Sequence, residues 1–136
     1  MEYNYLYIVI YTPQQGNFYH WALSFQTENA GIYNFEVIGQ FPNYAYYKHI
    51  SRTPPEKNHP GFIKKYLVAE IDRRDVEDVI KFFEDEAEIR KDILEWNCQD
   101  FCLKSLEELK DRDLISGEDE NYEQGVEEAK EYYGPA

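Results

Sequence analysis

Two cysteines and three histidines are the side chains of this sequence best suited to nucleophilic or proton-transfer chemistry. The segment Trp96-Asn97-Cys98-Gln99-Asp100-Phe101 is the most informative of its surroundings. Asparagine is a favoured helix N-cap, so Cys98 falls at the first position of a predicted helix. Unpaired amide N–H groups and the helix dipole favour negative charge there. The thiolate is the nucleophilic form of cysteine, and a helix start is among the few places that stabilise it. Cys102 lies one turn further along and reads as a core residue. Four residues apart on one helix, the two thiols do not suit a disulfide, which points to a reducing, cytoplasmic compartment.

A reactive thiol needs a proton acceptor. His20 is the natural one, because it begins a predicted strand in an aromatic setting of Phe18, Tyr19 and Trp21. His49 and His59 fall in a proline-rich stretch and read as surface residues. Cys98, Cys102 and a histidine lack the paired spacing of a zinc site, so no metal and no cofactor is expected.

The elements that must position these groups follow from the apolar pattern. Residues 4–12, 18–26, 32–38 and 62–71 are rich in β-branched and aromatic side chains and are predicted strands. The short connection between the second and third makes them an antiparallel hairpin. In the second strand Trp21, Leu23 and Phe25 share one face, and His20, Ala22 and Ser24 the other. The His20 face is expected to turn toward the helix that carries Cys98. Residues 39–61, interrupted by Pro42, Pro54, Pro55 and Pro60, are expected to form a binding loop or lid, with a short edge strand around Tyr44, Tyr46 and Tyr47.

Asp72 is a predicted N-cap, followed by Val76, Val79, Ile80 and Phe83 at the spacing of an amphipathic helix. A second helix starts near Asn97 with Cys98, Phe101, Cys102, Leu106 and Leu109 as its buried stripe. Strands followed by helices imply an α+β domain, an antiparallel sheet with helices packed on one face. Its expected extent is residues 1–115. Residues 116–136 read as an acidic C-terminal tail, either weakly helical around residues 126–132 or partly disordered.

Composition narrows the function classes. At 136 residues and 43% hydrophobic, the chain suits one domain with a real core. Twenty-seven acidic against 14 basic side chains give a net charge of −13. A field of that sign repels phosphate, so neither nucleic acid nor an anionic membrane surface is an expected partner. The apolar run at residues 5–11 is too short for a membrane span and has no basic leader.

His20-Trp21-Ala22-Leu23, followed far downstream by Asn97-Cys98-Gln99-Asp100-Phe101, resembles the permuted branch of the papain-like superfamily. That branch includes NlpC-like peptidases and the lecithin–retinol acyltransferase group, and in it the histidine strand precedes the cysteine helix. The chain is also similar to a set of small fungal proteins with HWAL, FEV-G and WNCQD segments, which Phe35-Glu36-Val37-Ile38-Gly39 matches too. The likeness runs over residues 5–115.

The resemblance implies a permuted papain-like (NlpC-like) fold with Cys98 and His20 as catalytic residues. The acyltransferases carry a second histidine on the following strand, where this sequence has Asn34 and Glu36. Glu36 is preferred as the third catalytic residue, since a carboxylate can orient an imidazole. This departure, and the lack of the acyltransferases' membrane anchor, argue against lipid substrates. Gln14, Gln15 and Gln99 are candidate oxyanion donors beside the Cys98 backbone N–H.

The expected activity is that of a cysteine-dependent hydrolase or acyl-transfer enzyme. Its substrate would be a peptide, protein or small acyl compound, opened at a peptide, isopeptide, amide or thioester bond. Trp21, Tyr44, Tyr46 and Trp96 are the expected substrate wall. The competing expectation is a non-catalytic protein-interaction domain that keeps the same fold.

Overall fold

The segment YLYIVIY forms strand β1 (Tyr5–Tyr11) because it can bury both of its faces. Leu6, Ile8 and Ile10 are fully buried on one side, and Val9 and Tyr11 are buried on the other. Such a strand belongs in the middle of a sheet. A computed structural model describes residues 4–14, 17–28, 31–39, 44–87, 97–116 and 118–135.

In it β1 is flanked by β2 (His20–Thr27) and β5 (Phe62–Glu70), with β3 (Gly31–Ile38) and β4 (Ala45–Ser51) beyond β2. The order is β4-β3-β2-β1-β5, and every pairing is antiparallel. The helices are α1 (Pro55–Asn58), α2 (Val76–Asp85), α3 (Cys98–Asp111) and α4 (Glu120–Ala129). Among the described residues no helix is long and apolar enough to cross a membrane.

One core lies between the sheet and helices α2, α3 and α4. It joins Leu6, Ile8, Ile10, Trp21, Leu23, Phe25, Phe35 and Val37 to Val79, Phe82, Phe83, Phe101, Cys102, Leu106 and Ala129. The expected orientation of β2 is therefore reversed. Trp21, Leu23 and Phe25 face the helices, while Ala22 packs with Val9 and Tyr11 on the other side. Burial of apolar area decides the matter, since the three large side chains gain far more from the helix layer than His20, Ala22 and Ser24 would.

The short helix α1 lies on that second side. Its Glu56 meets Lys65 of β5 at 2.6 Å, and the Lys65 ammonium sits over the Tyr7 ring. Strand β4 and helix α1 thus occupy part of residues 39–61, the stretch expected as a binding loop or lid.

Asp72 caps as expected, its side chain accepting the Arg74 N–H at 3.0 Å, but a 3-10 turn over Arg73–Asp75 precedes α2. The acidic C-terminal segment is built into the fold. Helix α4 begins at Glu120, well before residue 126, with the Asp119 side chain accepting the Asn121 N–H at 2.8 Å. It crosses β5 so closely that a Cβ on Gly125 would stand 2.3 Å from the Leu67 carbonyl oxygen.

Candidate active site

Helix α3 starts where its caps place it. The Asn97 side chain accepts the Gln99 N–H at 2.8 Å, and the Asp100 carboxylate accepts the Asn97 N–H at 3.0 Å. This reciprocal box satisfies donors that a helix start otherwise leaves open. It also sets Cys98 at the first helical position, buried at 3% exposure. Cys102, one turn on, is fully buried in the core. Burial, then the charges of Cys98, Glu36 and Asp100, push the Cys102 thiol well above its ordinary pKa.

The Cys98 sulfur meets the beginning of β2. It accepts the Trp21 N–H at 3.4 Å and lies 3.9 Å from the Tyr19 carbonyl oxygen. The ladder between β2 and β3 ends at the Leu23–Phe35 pair, so the Trp21 N–H lies beyond it and is available to sulfur. His20 belongs to the sheet face opposite α3, across from Tyr11. Because β3 no longer pairs with β2 at this level, the helix start reaches the opening and the imidazole can address it.

Glu36 comes to His20 from β3. Extending the register beyond Leu23–Phe35 sets Ala22 opposite Glu36, which makes His20 and Glu36 diagonal neighbours on one face. His20 Nε2 lies 3.2 Å from a Glu36 carboxylate oxygen. That contact holds one ring nitrogen, and the partner of one ring nitrogen fixes the role of the other. Burial pulls the His20 pKa down. Hydrogen bonds with Cys98 and Glu36, and the charges of both, outweigh that pull and push it up to about 9.

Cys98 and His20 line a cavity of about 190 Å³ together with Gln14, Phe18, Val37, Ile38 and Gly39. Gly39 adopts φ +97°, a conformation that side-chain-bearing residues rarely take. The Tyr11 ring packs 5.6 Å from the imidazole, with His59 tilted against Tyr11 at 4.4 Å.

Of the residues singled out in the sequence, Cys98, His20 and Gln14 line this cavity, and Glu36 joins them through His20. Asn34 does not. Its side-chain amide donates to the Ile32 and His49 carbonyls and to Ser51 Oγ, turned toward β4. The Gln99 side chain is fully buried and its amide donates to the Tyr19 carbonyl at 2.9 Å.

Three of the expected wall residues also lie elsewhere. Trp21 is fully buried, and its indole N–H donates to the Tyr132 carbonyl. Tyr44 belongs to the core, and the Tyr46 hydroxyl donates to the Phe83 carbonyl at 2.7 Å. Gln15 and Trp96 lie outside the described residues. The cavity wall instead comes from Phe18, Val37, Ile38 and Gly39. The FEVIG segment contains three of these four, although in the sequence it serves only to single out Glu36. Tyr11 carried no sequence signal, since its place depends on the β1–β2 register.

No family model, no curated protein and no solved structure matches this chain.

Proposed function

We propose that this protein is a cysteine-dependent hydrolase or acyl-transfer enzyme with a permuted papain-like fold. Cys98 is its nucleophile, His20 its proton carrier and Glu36 the residue that orients the imidazole. The observation that carries this reading is the position of the His20 ring. It lies 3.2 Å from the Glu36 carboxylate and lines one cavity with Cys98.

The chemistry follows from that arrangement. His20 takes the thiol proton, and Cys98 Sγ forms a bond to the substrate carbonyl carbon as the carbonyl π pair moves onto oxygen. The Cys98 N–H at the helix start and the amide of Gln14, which lines the cavity, would donate to that oxyanion. When the tetrahedral intermediate collapses, the carbon–leaving-group bond breaks and His20 returns its proton to the departing amine, alcohol or thiol. Water, or an acceptor nucleophile, then gives its proton to His20 and attacks the thioester, releasing Cys98. Phe18, Val37 and Ile38 supply an apolar lining suited to the acyl portion of the substrate.

A thiol-directed acyl probe, such as a fluorogenic thioester or an activated acyl ester, tests the proposal by mass spectrometry. One adduct on Cys98 is expected, lost in His20→Ala and retained in Cys102→Ser. Modification of Cys102, or labelling of Cys98 indifferent to His20→Ala, would overturn it. A second reading, a non-catalytic interaction domain, is favoured by the exposure of Tyr47 and Ile50 on edge strand β4. The same probe separates the two, because that reading needs no His20-dependent labelling.

A further inference from the structure

The C-terminal residues wrap the two chain segments that carry the reacting groups. Gln99 directly follows the nucleophile and is fully buried. Its Nε2 donates to the carbonyls of Tyr19 at 2.9 Å, Tyr132 at 3.3 Å and Gly134 at 3.4 Å, and its Oε1 accepts the Gly134 N–H at 2.8 Å. One uncharged amide thereby ties the start of α3 to the start of β2 and to the end of the described chain.

Further contacts surround that clamp. The Trp21 indole N–H donates to the Tyr132 carbonyl at 3.3 Å, and Pro135 forms an isolated bridge with Phe18. The Tyr133 hydroxyl donates to Asp100 at 2.6 Å, the same carboxylate that closes the α3 capping box. The Tyr19 ring meets Tyr132 edge-on at 5.1 Å, and Trp21 meets Tyr133 at 6.1 Å. Phe18, Tyr19 and Trp21, the residues around His20, are all held by this segment.

We infer that Gln99 is a positioning residue for the Cys98–His20 pair, acting with residues 132–135 as a strap that holds the start of α3 against the start of β2. This rests on reading Cys98 and His20 as a reacting pair. A strap matters here because two groups on different elements must keep a fixed separation, and a misplacement of about 1 Å can cost about 10²-fold in rate. Gln99 suits the task. Its amide both donates and accepts, so it serves backbone groups of both kinds without burying a charge.

NMR titration of the His20 ring in the full chain tests this with two variants. Gln99→Met keeps the volume and removes the amide. Tyr133→Phe removes one hydroxyl from a side chain that is 49% exposed, so folding is retained even if the first variant is unstable. In each folded variant the imidazole should bind its proton about tenfold more weakly than in the wild type, a downward move of about one pH unit. A purely structural amide would lower stability and leave that titration unchanged. A raised wild-type value that persists in both variants overturns the strap while leaving the pair intact. An ordinary imidazole value in the wild type overturns the pair, and the strap with it.

Discussion

His20 Nε2 and a carboxylate oxygen of Glu36 lie 3.2 Å apart on strands β2 and β3, at a level where those strands have ceased to pair. The end of that ladder explains two features together. It leaves the Trp21 N–H free to donate to Cys98, and it lets a helix on one face of the sheet address an imidazole rooted on the other. With Glu36 on Nε2, the ring has a defined orientation beside the cavity that it lines with Cys98.

The two cysteines should separate sharply in reactivity. Cys98 lines the cavity, whereas Cys102 is fully buried and its thiol is held protonated by burial and neighbouring negative charge. Iodoacetamide at pH 7 is expected to modify Cys98 at least about tenfold faster than Cys102, since rate follows exposure and thiolate content. Peptide mapping of a labelling time course gives both rates, and faster modification of Cys102 would contradict the assignment.

Serine substitutions should divide stability from chemistry. Cys98→Ser changes one atom beside the backbone N–H of Trp21 and should alter unfolding free energy by no more than about 1 kcal/mol. Cys102→Ser sets a hydroxyl among Phe101, Leu106 and the rest of the core, and should cost about 1–3 kcal/mol. Urea melts rank the two, and probe labelling should survive only the second.

Stability should also depend on pH through His20. Its folded-state pKa, about 9, lies above the ordinary 6.5, so the folded protein holds this proton more tightly than the unfolded chain. The resulting stabilisation is fully present below about pH 6.5 and is lost as pH rises through about 9. Urea midpoints of the wild type should fall across that window by more than those of His20→Gln. Parallel curves for the two proteins would remove His20 as the cause.

Gly125→Ala probes the docking of α4. Alanine favours a helix by about 1 kcal/mol over glycine. Here its Cβ would press on the Leu67 carbonyl oxygen, and overpacking of this kind costs about 1–3 kcal/mol. The variant should melt below the wild type, and an increase in melting temperature would show that α4 stands further from β5.

The strands and the buried stripe of α3 were legible because β-branched runs and a 3.6-residue repeat report local preference directly. Asn97 announced the helix start through its own capping chemistry. The facing of β2 was misjudged because alternation divides a strand into two sets without saying which is inward. The volume of Trp21, Leu23 and Phe25 was the cue. Tyr44 and Tyr46 look alike as loop aromatics whether they line a groove or fill a core, and only the position of α2 and α3 distinguishes these. In the sequence Gln99 stands only as a candidate oxyanion donor beside Cys98, outside the buried stripe. Its partners at Tyr132 and Gly134 are remote in sequence, and no local pattern links them to it.

The central claim is that Cys98, His20 and Glu36 act on one another as a unit. The NMR titration of the His20 ring in the wild type, Cys98→Ser and Glu36→Gln tests it most directly. The wild-type imidazole should titrate near pH 9, and each substitution should lower that value, because each removes one of the groups that raise it. A wild-type His20 that titrates near 6.5, or a raised value that neither substitution moves, would contradict the account.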